Sequence, residues 1–180
     1  MKDACISHVK NGIYGEMWVA AMLAAAVTTD NLKDIIRLGV PEVPRKSRLA
    51  AGIEEVIRWS EEGIGYEEAI DRIHKRWNEK WSHHWCHTIS NAQIVAMGLL
   101  WGEGDYSKAI CRAVQACFDT DCNGATVGSI MGMVLGYRRL PQRWLKPMQG
   151  CLQTGVAGYN RVRIADIAAE GFELFWNHKR

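Results

Sequence analysis

The run Asp119-Thr120-Asp121-Cys122-Asn123-Gly124 sets two carboxylates two positions apart, directly ahead of a glycine-rich stretch. Hard divalent cations prefer carboxylate, hydroxyl and carbonyl oxygens, and an irregular junction between two helices lets alternate side chains converge on one ion. Asp119 and Asp121 are therefore candidate metal ligands. Aspartate also begins and ends helices. Asp121 could instead cap the following helix by accepting its free N–H groups, with Asp119 closing the preceding one as a turn residue. Spacing alone leaves both readings open.

Other polar clusters carry less chemistry. His83, His84, Cys86 and His87 are potential zinc ligands, but neighbours so close in sequence cannot wrap a tetrahedral ion, and no second pair follows at a fitting distance. Trp77, Trp81 and Trp85 recur every four residues, which predicts one side of a helix given over to packing. His87 and Asn91 stand one helical turn apart on a mostly apolar segment, where a mutually satisfied polar pair is expected. Gly155-Val156-Ala157-Gly158-Tyr159 lacks the Lys-Ser/Thr ending and the preceding strand of a phosphate loop, and reads as an ordinary loop.

The elements that must position these groups are helical. Gly12 to Thr28 is rich in Ala, Met and Leu without proline, which predicts a core helix. After Pro41 and Pro44, Ser47 can cap a helix whose Leu49, Ile53, Val56 and Ile57 share a face. Tyr66, Ala69, Ile70, Ile73 and Trp77 repeat that spacing. Thr88 to Leu100 predicts a mostly apolar helix ending at the turn Gly102-Glu103-Gly104-Asp105, followed by a helix from Ser107 to Phe118. Glycines at 124, 128, 132 and 136 share one helical face, where another backbone can approach. A last helix is expected over about Arg163 to Trp176. No β-alternation, repeat or linker stands out. The expected fold is all-α, an orthogonal multi-helix bundle forming a single domain over 1–180.

Composition narrows the functional classes. At 180 residues, with 48% apolar residues and four prolines, the chain suits one globular domain. Twenty-two basic against twenty acidic residues give a net charge of +2, too small to imply nucleic acid as a partner. The most apolar stretch, Trp18 to Val27, is ten residues long, whereas a membrane-spanning helix needs about 20. No membrane association is expected. Six cysteines without a preceding signal peptide fit reduced thiols and a cytoplasmic location.

Four stretches together resemble the ADP-ribosylglycohydrolase family: Ser7-His8-Val9-Lys10-Asn11-Gly12-Ile13-Tyr14-Gly15, His87-Thr88-Ile89-Ser90-Asn91-Ala92, Trp101-Gly102-Glu103-Gly104-Asp105, and Asp119 to Ser129. The resemblance implies an all-α hydrolase that cleaves the glycosidic bond joining ADP-ribose to a protein side chain or a related small molecule. It implies two Mg²⁺ ions, for which Mn²⁺ can substitute, held between an early Thr-Asp-Asp cluster and a late Asp-x-Asp-Thr cluster. The late cluster falls on Asp119, Asp121 and Cys122. A thiol in the place of a hydroxyl is a softer partner for Mg²⁺, which makes Cys122 the weakest of the three. The resemblance also implies substrate contacts at His8, Lys10, Asn11, Gly12 and Asn123, and assigns no catalytic acid or base. No Thr-Asp-Asp occurs; Thr28-Thr29-Asp30 echoes it only superficially. The expectation is the C-terminal portion of an incomplete family domain, completed by a missing N-terminal segment or a homo-oligomer. The alternative is a non-catalytic ligand-binding or interaction protein with half a metal site.

Overall fold

The computed structural model describes residues 1–177. Two compact units are present, Met1–Arg139 and a second from Leu140 onward. The first contains α1 (Ala4–Ser7), α2 (Asn11–Ala25), α3 (Leu32–Gly39), α4 (Arg48–Glu61), α5 (Tyr66–Arg76), α6 (Thr88–Trp101), α7 (Tyr106–Gln115) and α8 (Thr120–Leu135).

The centre of this unit is α6. It carries no charged residue, so no face of it gains from water, and it buries everything from Ile89 to Leu99 except Asn91. Helices α2, α4, α5, α7 and α8 pack around it. The sequence assigned a core role to the segment of α2, but α2 buries only the stripe Gly15, Trp18, Met22 and Ala25. The apolar stripe of α4 is buried as its spacing requires, and Ser47 Oγ accepts the Ala50 N–H at 3.1 Å. Helix α3 was not legible as a helix. It is short, and its start depends on Asn31 Oδ1 accepting the N–H groups of Lys33 and Asp34.

Local contacts fix the direction of these helices. Gly15 of α2 meets Thr88, Gly52 of α4 meets Ile89, and Asn123 of α8 bonds to Asn91. Each contact joins the early turns of one helix to those of α6. The N-termini of α2, α4, α6 and α8 therefore lie toward one end of the unit. Glycine allows tight approach where it faces α7: a Cβ on Gly124 would lie 3.0 Å from Val114 Cγ2 and one on Gly128 3.4 Å from Ile110 Cδ1, while Gly132 faces nothing within 4 Å. The glycine face is thus a packing seam in its first half only.

The second unit holds α9 (Gln142–Leu145), strands β1 (Cys151–Gln153) and β2 (Arg161–Arg163), and α10 (Ile164–Asn177). The strands pair antiparallel with Leu152 opposite Val162. This hairpin corrects the expectation of no strand: three-residue strands are too short for alternation to register. The run from Gly155 to Tyr159 is the hairpin loop, and α10 lies where expected. Among the described residues no helix is long and apolar enough to cross a membrane.

Candidate metal centre

The acidic loop is built by two residues with left-handed backbone. After α7, Cys117 (φ 64°) and Phe118 (φ 62°) reverse the chain, and the buried Phe118 ring anchors the turn. Asp119 follows as the residue before α8, and its carboxylate makes no capping hydrogen bond. Asp121 stands within the first turn of α8 and does not occupy the cap position. The side chains are thus left to each other: one ligand atom each from Asp119, Asp121 and Cys122 lies within 4.8 Å of the others.

Burial raises the Asp119 carboxyl above its usual range, and a hydrogen bond with Asp121 and that residue's charge raise it further; Cys122 acts the other way, and no cation contributes. Burial also raises the Cys122 thiol, as do Asp119 and Asp121. Two carboxylates brought together without a cation suit a hard divalent ion. A thiol held in its protonated form does not, so the carboxylates fit Mg²⁺ and Cys122 does not.

Asn91 holds the loop from one side. Its Oδ1 accepts the backbone N–H of Asp119 at 3.1 Å and the Nδ2–H of Asn123 at 2.7 Å. Its Nδ2 donates to the carbonyls of Trp85 at 2.9 Å and His87 at 3.0 Å. From the other side His74 Nε2 donates to the Ala116 carbonyl at 3.1 Å, while Nδ1 contacts Glu79 Oε2 at 3.1 Å. The sequence missed both supports. The expected side-chain pairing of His87 with Asn91 is corrected: Asn91 reaches only the His87 carbonyl, while His87 Nδ1 caps α6 by accepting the Ile89 N–H at 3.2 Å. Asn123, expected at the substrate, is buried with its amide engaged by Asn91, which makes it a support of the loop.

The other expected residues gather at the start of α2. Lys10 precedes the helix with φ 47°, and His8 Nε2 lies 3.9 Å from Glu16 Oε2. His8 also packs over Gly12, where a Cβ would come within 3.0 Å of the histidine's own Cβ. Asn11 Oδ1 is buried without a partner. The Gly15–Thr88 contact sets this turn beside the start of α6, so three of the four sequence stretches lie toward one end. The fourth, Trp101 to Asp105, lies at the opposite end of α6, about 20 Å away by helix rise.

Three further residue groups add no ligand to this cluster. Thr28, Thr29 and Asp30 line a surface recess with Met133 and Val134, about 20 Å along α8 from Asp119. They do not oppose the acidic loop. Trp77, Trp81 and Trp85 do not line a helix: α5 stops at Arg76, Trp77 is extended, and turns follow. Trp77 packs on His87 at 4.5 Å between ring centroids. Among the described residues, Asp119, Asp121 and Cys122 are the group of three arranged to hold a metal, and the histidines near 83–87 are not.

The model of the ADP-ribosylglycohydrolase family matches residues 1–178. The chain belongs to this family. The match covers essentially the whole chain. Searches of curated proteins and of solved structures returned no match. At the family level the chain is an ADP-ribosylglycohydrolase-like hydrolase with an all-α fold.

Proposed function

We propose that the chain serves the Mg²⁺-dependent hydrolysis of the glycosidic bond that joins ADP-ribose to a protein side chain or a related small molecule. The observation that carries this reading is the pairing of Asp119 with Asp121 toward the end where α2, α6 and α8 begin. Asp119 and Asp121 would hold the ion, with Mn²⁺ as a substitute. When bound, it would supply orientation of ribose hydroxyls and water and stabilisation of charge at the anomeric centre.

The chain's own groups supply binding. The first turn of α2, where the Gly12 N–H donates to the Val9 carbonyl at 3.0 Å, presents the positive end of a helix dipole, which favours a diphosphate near His8, Lys10 and Gly12. Asn11 Oδ1, buried without a donor, suits a ribose hydroxyl, since an unsatisfied buried acceptor is costly until paired. The free, mostly exposed cysteines fit a reducing compartment, and we place the protein in the cytoplasm.

A second reading is favoured by the single acidic group found among the described residues: a non-catalytic ligand-binding or interaction protein, or a site completed by a second copy or another polypeptide. Calorimetric titration of Mg²⁺ or Mn²⁺ into the chain and into Asp119→Ala and Asp121→Ala tests the metal assignment. Both substitutions should abolish binding; binding untouched by either would remove it. Release of ADP-ribose from a modified protein, dependent on Mg²⁺, tests the activity and separates the two readings.

A further inference from the structure

We propose that Asn91 is a positioning residue for Asp119, fixing the carboxylate through its backbone without touching an ion; this rests on the reading of Asp119 as a metal ligand. An asparagine amide has two donors and an acceptor oxygen with two lone pairs, and at Asn91 all four are used. Oδ1 takes the Asp119 N–H and the Asn123 side chain, and Nδ2 gives to the Trp85 and His87 carbonyls. The two carbonyl partners can only accept and the Asp119 N–H can only donate, so the amide's orientation is fixed by chemistry.

Few side chains can replace it. Aspartate would turn an oxygen toward two carbonyls, alanine would leave every partner without its bond, and glutamine would carry the amide one methylene too far. The connection also crosses a wide gap in sequence: it ties α6 and the turns that present the exposed Trp81 and Trp85 to the start of α8. Asp119 requires such a tie. It follows two non-glycine residues in left-handed conformation, and backbone of that kind persists only where its surroundings over-determine it. The Ala116 carbonyl is held by His74 and the Asp119 N–H by Asn91, so the strained pair between them is clamped at both ends.

A neighbouring side chain separates positioning from general bracing. Ser90 is fully buried and its single O–H is shared between the carbonyls of His87 at 2.9 Å and His84 at 3.2 Å, in the same turns that Asn91 grips, yet its hydroxyl makes no bond to the acidic loop. Mn²⁺ titrations should therefore compare the native chain, Asn91→Ala, Ser90→Ala and Asp119→Asn, each checked for cooperative unfolding. The expected result is loss of binding in Asp119→Asn and about 10- to 100-fold weaker binding in Asn91→Ala, the range for groups that orient a ligand. Ser90→Ala should bind as the native chain does.

Native affinity in Asn91→Ala alongside failure of Asp119→Asn would overturn the role of Asn91 and leave the metal site standing. Native affinity in Asp119→Asn would overturn both. Equal losses in Ser90→Ala and Asn91→Ala would reduce Asn91 to a brace. Should Asn91→Ala not fold, hydrogen exchange of the native chain decides. The Asp119 amide precedes α8 and has no helical acceptor, so protection comparable to that of the Asn123 amide supports the bond to Asn91, and exchange at the rate of an open loop overturns it.

Discussion

Gly15 faces Thr88 so closely that a Cβ added to the glycine would lie 2.4 Å from the threonine's Cγ2. The start of α2 is thereby pressed against the start of α6. Gly15→Ala should destabilise the chain by about 1–3 kcal/mol, the usual cost of overpacking. Thr88→Ser removes the offending methyl and should recover most of that loss in the double variant. Denaturant unfolding of the two singles and the double measures the coupling, and independent, additive effects would contradict the contact.

His87 should make stability depend on pH. Burial lowers its pKa from the ordinary 6.5, with Arg48 and His84 adding to the effect, and its Nδ1 serves as an acceptor capping α6. Because the unfolded chain binds this proton more readily, the stabilisation is fully present above pH 6.5 and is lost as pH falls through the folded-state value. His87→Asn keeps a capping acceptor without the titration. Its unfolding midpoint should fall less than that of the native chain between neutral and mildly acidic pH, and parallel curves would count against the assignment.

Asp119→Asn should separate stability from metal binding. With its pKa raised in the fold, ionised Asp119 is a liability without a cation, and its cost appears as pH rises from 3.8 through the raised value. In chelator at neutral pH the variant should melt above the native chain. In Mg²⁺ the order should reverse, because ligand at about 100 times its Kd stabilises the binding form by roughly 2.7 kcal/mol. Identical melting of the two proteins in both buffers would sink this account.

Cys117 is an exposed residue with φ 64°. Cys117→Gly should stabilise the chain by up to about 1 kcal/mol, the left-handed strain of an L-residue less the entropy cost of glycine. Cys117→Val should destabilise it, since a β-branched side chain tolerates positive φ worst. Unfolding free energies of the pair check the sign, and the reverse order would show that the turn relaxes.

Local features were legible wherever the physics was local. Ser47 before an apolar stripe specified α4 through one side-chain acceptor and a repeat of 3.6 residues. Where a competing local bond intervened, periodicity misled: the Trp77–Trp81–Trp85 spacing suggested a helix, but Asn78 Oδ1 accepts the Lys80 N–H and starts a turn instead. The strands of the hairpin and the start of α3 were too short to show a period.

The sequence by itself determined the helical character of the chain, the family resemblance later supported by a match over residues 1–178, and the two carboxylates of the acidic loop. These depend on residues that are neighbours in the chain. Only the tertiary structure decided that Asp119 leaves its carboxylate uncapped, that Asn123 turns inward, and that Asn91, 28 residues away, grips the loop. The reason is geometric: α6 and α8 run in the same direction with α7 between them, so the start of one helix meets the start of the other, and no repeat within either segment encodes that meeting.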